Sequence, residues 1–442
     1  MADQELYGPE TRKAVDNFPV SGERVPAAVV HWLGRIKAAA ARVNAELGKL
    51  DADLAERIAA AGDEVAEGRH DDQFPIDVFQ TGSGTSSNMN ANEVMAALAG
   101  EGIHPNDHVN MGQSSNDVFP SAVHLAALAE SRDKLVPALE KLGASLEAKG
   151  VEFDDVVKAG RTHLMDAVPV TLGQEFHGYA AQIRLGVERV EAALQRVAMI
   201  PLGGTATGTG LNTHPEFASR VRAKILEATG VEPLAPADPF EAQASRDALV
   251  ELSGALKVVA VSLTKIAQDI ALMGSGPRTG IGELAVPELQ KGSSIMPGKV
   301  NPVMPEVTLQ VAAQVIGNDT AITIGGMQGQ FELNVRIPLI ARNLLESIRI
   351  LSSAVTLLAE KCVDGIEANR ETCEHNAAST PAIATALNPY IGYDKATEIV
   401  NEAVASRRTI REVAIEKGVD EATLDEALDL AAMARPHERQ TA

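Results

Sequence analysis

Cysteine is nearly missing from this chain. Only Cys362 and Cys373 occur among 442 residues, which excludes a disulfide framework, a CxxC metal site and a cysteine-ligated iron–sulfur cluster. Aromatic residues are also scarce, at 3%. Positive charge is in deficit: 39 Lys and Arg stand against 60 Asp and Glu, a net charge of -21, so nucleic acid and anionic membrane surfaces are disfavoured as partners. No apolar run approaches membrane-spanning length. The opening MADQELYGPETRK has neither the cationic and apolar regions of a signal peptide nor the Arg/Ser-rich character of a transit peptide, so the expected location is a reducing cytoplasm. The acidity fits a soluble cytosolic protein or, alternatively, adaptation to high salt, and an anionic substrate would need a locally positive pocket.

Helix-forming residues fill what remains. Long segments rich in Ala, Leu, Glu and Lys, such as residues 35–50, 122–149 and 173–197, predict a mostly α-helical chain. Between Glu241 and Met273, the residues Leu249, Leu252, Leu256, Val259, Leu263, Ile266 and Ile270 recur at steps of three and four, the seam of a helix packed along a bundle. Such a helix would run roughly 50 Å. Val250, Val258, Ala260 and Val261 lie off that seam, so several faces need cover, from a large bundle or a subunit interface. A second seam, Leu344, Ile348, Leu351, Val355 and Leu358, predicts a bundle of long antiparallel helices. Glycine-rich breaks at 82–84, 203–210 and 274–298 are the expected places for chemistry. The soft boundaries give three domains: 1–113, an N-terminal helical domain; 114–370, the central long-helix bundle; and 371–442, a small C-terminal helical domain.

Four polar clusters are expected to open or close helical segments. Thr81 to Asn90, containing Ser83, Gly84 and Thr85, reads as a helix cap or as a carboxylate site on helix N–H groups. Gln113 to Asp117, containing Ser114, Ser115 and Asn116, carries the same two readings. The third, Gly160 to Asp166, holds Thr162 and His163, the latter one of ten histidines. A histidine in such a run is either structural or, beside a carboxylate such as Glu306, able to take a proton from water. The fourth, GSSIMPGKVNP from Gly292 to Pro302, crowds Ser293, Ser294, Lys299 and Asn301 between flexible glycines, a composition able to hold a carboxylate. No G-x-S-x-G elbow surrounds Ser293, and GGTATGTG at 203–210 lacks the GK[ST] of a P-loop, which weakens acyl-enzyme and phosphate readings. That run reads as a packing or substrate-adjacent loop.

Taken in order, TGSGTSSNMNANEV, HPND, QSSNDVFPSA, GRTHLMDAVPVTLGQEF, GTGLNTHPEF, GSSIMPGKVNPVMPE and FELNV resemble the class II fumarases of the fumarase/aspartase superfamily across about residues 7 to 420. The resemblance implies a mostly α, three-domain subunit with a central bundle of long antiparallel helices. It implies a homotetramer whose active sites are shared between subunits, each built from three. It implies a small dicarboxylate substrate, metal-independent chemistry without a cofactor, and reversible hydration of fumarate to malate in the tricarboxylic acid cycle. By the same resemblance Ser293 removes the C3 proton of malate, and His163 handles the water proton with Glu306 as partner. Ser83, Gly84, Thr85, Ser114, Ser115, Asn116, Thr162, Ser294, Lys299 and Asn301 would bind the two carboxylates. The segment His104, Pro105, Asn106 and Asp107 corresponds to a secondary carboxylate site, although the basic pair that often precedes it is missing.

The alternatives within the superfamily are an aspartate ammonia-lyase and a non-catalytic scaffold. Aspartase-like sequences usually have glutamine where His163 stands and alanine where Gly298 stands. Ammonia is already nucleophilic, whereas water needs a base, so His163 favours hydration. Argininosuccinate and adenylosuccinate lyases carry a different triplet in place of Gly298-Lys299-Val300. A scaffold is disfavoured because every expected catalytic position holds a competent residue.

Overall fold

The computed structural model describes residues 5–435. Residues 1–4 and 436–442, the ends of the first and third expected domains, lie outside the described residues. The chain is mostly helical, as expected, with two short two-stranded antiparallel sheets among the described residues. It divides into two compact units. One takes the described residues up to Pro137 with Gly186–Val261 and Val311–Ser353; the other takes Ala138–Leu185, Ser262–Gln310 and the described residues from Ala354 onward. The division falls within the long helices Leu172–Val197, Asp247–Met273, Val303–Gly326 and Ile337–Lys361, so each contributes a segment to both units.

Both apolar seams are core. Leu249, Leu252, Leu256, Val259, Leu263, Ile266 and Ile270 are all buried, as are Leu344, Ile348, Leu351, Val355 and Leu358. The first seam helix starts at Asp247, not near Glu241. Asp238 caps a separate short helix, Pro239–Ala244, and Ser245 is extended, which shortens the long helix to 27 residues, roughly 40 Å. Off the seam, Ala260 is buried, while Val258, Val261 and Leu272 face outward, as do Ile316, Ile324 and Met327 on and just beyond the Val303–Gly326 helix. Residues 122–149 are helical throughout. Ser115–Glu130 and Val136–Glu152 are joined by a π-type turn, Ser131–Leu135.

The C-terminal stretch folds around its own core of Ile383, Leu387, Ile399, Ile410, Val413 and Leu424. Two of its aspartates are helix caps: Asp420 accepts from the Thr423 N–H and Asp429 from the Ala432 N–H, each the type of bond that stabilises a short helix by about 1 kcal/mol.

One core histidine makes stability depend on acid. His124 is 4% exposed, and its Nδ1 lies 2.8 Å from the Val197 carbonyl. Burial, aided by the Arg246 charge, pushes its pKa down to about 3. The unfolded chain therefore binds a proton below the ordinary value near 6.5, whereas the folded chain does not until about 3. Stability is full above that window and falls with pH inside it, by up to about 1.4 kcal/mol per pH unit from this group. His124→Asn, which keeps a donor for Val197, should flatten the acid-side decline in melting temperature; an unchanged slope refutes the assignment.

Candidate active site

The first cluster opens the Thr85–Ala99 helix. Two glycines set its entry. Gly84 has φ +77, and a Cβ there would lie 2.2 Å from the Phe119 ring; a Cβ on Gly82 would lie 1.7 Å from the Val335 carbonyl oxygen. No side chain here could fit without moving the backbone. The Gly84 N-cap has no side-chain cap, and the first turn has no acid. The Thr81 hydroxyl accepts from the Ser86 N–H at 3.0 Å, and Ser83 Oγ lies 2.8 Å from Thr85 Oγ1. Paired hydroxyls beside a positive helix end are suited to a carboxylate.

The second cluster opens Ser115–Glu130 with a capping box: Ser114 Oγ accepts from the Asn116 N–H, and Asp117 accepts from the Ser114 N–H at 2.8 Å. The cap reading is therefore real here, and the Ser114 hydroxyl keeps its own proton to donate. Asp117 also accepts from the Gly203 and Thr205 N–H groups at 2.9 and 3.0 Å, while Asn116 Nδ2 donates to the Ala206 carbonyl at 2.9 Å. The glycine-rich 203–210 loop thus packs against the cluster.

Sequence reasoning missed Lys37, which is fully buried. Its ammonium donates to Asn110 Oδ1 at 3.2 Å and Gln113 Oε1 at 3.1 Å, and Asn88 Nδ2 donates to the same Asn110 oxygen. It therefore ties the first cluster to the second. Burial pushes Lys37 down to about 7 against the pull of Asp117, and pushes Asp117 up to about 6 against its three N–H donors and Lys37. The signal was a lysine set directly between Ile36 and the alanines from Ala38 onward.

The other unit carries the remaining clusters. Contrary to expectation, Gly160 to Asp166 does not border a helix. Strands Val157–Thr162 and Met165–Thr171 pair antiparallel, with Thr162 opposite Met165. His163 and Leu164 form the two-residue turn, with φ +56 and +60, the type I′ geometry whose twist matches a hairpin. Positive φ at two non-glycine residues stores about 1–3 kcal/mol each, strain that marks functional sites. His163 and Thr162 are exposed at this tip.

The fourth cluster is a closed loop. The Gly292 N–H donates to the Lys299 carbonyl at 3.0 Å, and Asn301 Nδ2 donates to the Gly292 carbonyl at 2.9 Å. A Cβ on Gly292 would lie 2.2 Å from that Lys299 oxygen, and Gly298 has φ +75. Within the loop, Ser293 Oγ accepts from the Ile295 and Met296 N–H groups at 3.2 and 3.1 Å. Ser294 and Lys299 are exposed, and Glu306 follows in the first turn of Val303–Gly326.

Ser293, Ser294, Lys299 and Asn301 are thus brought into one loop. Among the described residues, His163 and Glu306 have no side-chain hydrogen bond, so their expected pairing is not made within one chain. His104 caps the Pro105–Val109 turn, its Nδ1 accepting from the Asp107 N–H and lying 3.2 Å from Asp107 Oδ2. Asn106 and Asp107 are exposed there, and Pro105 is half-buried.

A mostly helical chain with hydroxyl-rich helix openings and a serine–lysine loop is built for anionic substrates, and it matches the lyases: residues 1–317 match the family described as Lyase, and residues 383–435 match Fumarase C C-terminus. It is 56% identical to the class II fumarate hydratase of Corynebacterium efficiens, covering 99% of this chain and 94% of that one. It is 54% identical to that of Mycobacterium tuberculosis, covering 97% and 93%. The crystal structure of class II fumarase from Schistosoma mansoni superposes with a TM-score of 0.96 at 37% identity, covering 99% and 97%. The chain belongs to the class II fumarate hydratase family.

Proposed function

We propose that this chain catalyses the reversible hydration of fumarate to L-malate, by anti addition of water through an enediolate, the aci-carboxylate. The observation that carries the reading is identity of 54–56% to class II fumarate hydratases over almost the whole chain, with His163, the residue suited to activating water, at a strained hairpin tip.

In the dehydration direction Ser293 takes the C3 proton. The carboxylate beside that carbon becomes a dianionic enediolate, which preorganised donors must stabilise. Lys299, Asn301 and the loop N–H groups supply them, with Ser294 and Thr162. Ser83, Gly84, Thr85, Ser114, Ser115 and Asn116 hold the other carboxylate at two helix openings. His163 then protonates the departing hydroxyl, and in hydration takes the proton from water. Glu306 stabilises the imidazolium, as a carboxylate partner does.

His163 and Glu306 meet between subunits in this reading. The chain is a homotetramer with each active site drawn from three subunits. Its support is the exposed apolar surface beside the site, Leu164, Met165, Ile295 and Met296, and along the long helices, Val258 and Val261. Exposed apolar side chains in such numbers are what a subunit interface would cover. The subunit has three domains, 1–113, 114–370 and 371–442; the separate core around Leu387 and Val413 supports the last. The chain works in the cytoplasm, within the tricarboxylic acid cycle. Among the described residues no helix is long and apolar enough to cross a membrane. Residues His104 to Asp107 form a secondary carboxylate site.

Loss of fumarate ultraviolet absorbance tests the reaction. Conversion to L-malate without ammonium is expected. Conversion only with ammonium, or none in either assay, overturns the reading.

A further inference from the structure

We propose that Glu283 is a positioning residue for this hydration, acting through the hairpin that presents Thr162 and His163; the inference rests on the role given to His163 above. Glu283 is fully buried, and both its carboxylate oxygens are saturated. Oε1 accepts from Arg161 Nη2 at 2.8 Å and Asn376 Nδ2 at 3.0 Å; Oε2 accepts from Arg161 Nη1 at 3.0 Å and faces Lys158 Nζ at 3.3 Å. Burial alone would raise its pKa, but Arg161, Lys158 and Asn376 outweigh it and hold the carboxyl below the usual range. Glu283 is therefore ionised in the folded chain.

The hairpin is shaped for this contact. In a regular strand residues three apart, such as Lys158 and Arg161, point to opposite faces. Here the register shifts between Ala159 and Arg161. One residue of the first strand, Gly160, thus faces two of the second, Ala167 and Val168; such a bulge increases the local twist of the pair, and Lys158 and Arg161 both reach the same carboxylate. Gly160 lies at the bulge, where a Cβ would sit 2.5 Å from the Val168 carbonyl oxygen. Arg161 forms the next-to-last pair of the ladder, opposite Asp166, and His163 is two residues further on.

The anchor itself is rigid. The Glu283 N–H donates to the Met273 carbonyl, at the end of the long helix, and the Asn369 N–H donates to the Glu283 carbonyl. Leu284 and Ala285 pair with Ala368 and Glu367. The two-pronged Arg161 grip thus fixes a turn that would otherwise relax from its two positive-φ residues. A buried ion cluster adds little net stability compared with apolar packing, and its best-attested use is to fix geometry.

The experiment compares Glu283→Gln and Arg161→Lys in the intact oligomer, each in the wild-type and His163→Asn backgrounds, with oligomer mass checked by light scattering. Arg161→Lys keeps the charge and loses the paired grip, so it remains informative where burying an amide at 283 impairs folding. Each change should lower kcat about 10- to 100-fold with KM within about 3-fold, as loosened support shells do. In the His163→Asn background each should cost at least about 5-fold less than in the wild-type background, since only Thr162 is left to be positioned. Equal losses in both backgrounds overturn the positioning role alone. A His163→Asn enzyme that turns over at the wild-type rate overturns the role of His163 and this proposal with it.

Discussion

Replacing His163 with asparagine is expected to lower kcat for fumarate hydration by about 10²- to 10⁴-fold, the range a positioned general base contributes, while KM changes little. Water is a poor nucleophile until a base takes its proton, and the asparagine amide cannot. Apart from Thr162, the proposed carboxylate donors lie elsewhere, on the 292–301 loop and the two helix openings, so substrate affinity should largely persist. Asparagine tolerates positive φ better than most residues, which suits the φ of +56 at this position. The hairpin should therefore keep its shape, and the effect should be chemical. Steady-state kinetics with light scattering checks this. Unchanged turnover in an intact oligomer would remove His163 from the mechanism.

His163 also shows where sequence ceases to be legible. The helical seams were readable because steps of three and four residues impose burial on one face whatever the surroundings, and each seam residue named from the sequence is core. The polar clusters at Thr85 and Ser115 were readable because hydroxyls and glycine before an apolar run mark a helix start. The hairpin was not, because its turn is His-Leu rather than Asn-Gly or Asp-Gly. What stabilises that turn is tertiary: Arg161 and Lys158 on Glu283, more than 120 positions away in the chain. Lys37 was missed for a related reason. A lysine beside a run of alanines reads as an interruption until its acceptors, Asn110 and Gln113, are folded against it. Grouping Ser293, Ser294, Lys299 and Asn301 needed only proximity in sequence. The expected pairing of His163 with Glu306 is not made within one chain.

Ser293→Ala should cost at least as much, about 10³-fold or more in kcat, on the scale of a lost proton-transfer group together with lost oxyanion stabilisation. A serine hydroxyl is a feeble base, and composition offered no activation for Ser293. The loop geometry supplies one. Two backbone N–H groups, from Ile295 and Met296, donate to its Oγ, and hydrogen bonds to the charged form of a group favour that form. The loop's lysine adds positive charge within the same ring of backbone. An alkoxide is thereby less costly here than in water, and other donors, Lys299 and Asn301, would make the C3 proton easier to remove by stabilising the enediolate that forms. The two variants should separate in deuterium exchange at C3 of malate in heavy water. Ser293→Ala should abolish exchange and dehydration together, because no proton is removed. His163→Asn should retain exchange in excess of dehydration, because the enediolate forms but the hydroxyl cannot leave as water. Exchange surviving in Ser293→Ala would assign proton removal to another group.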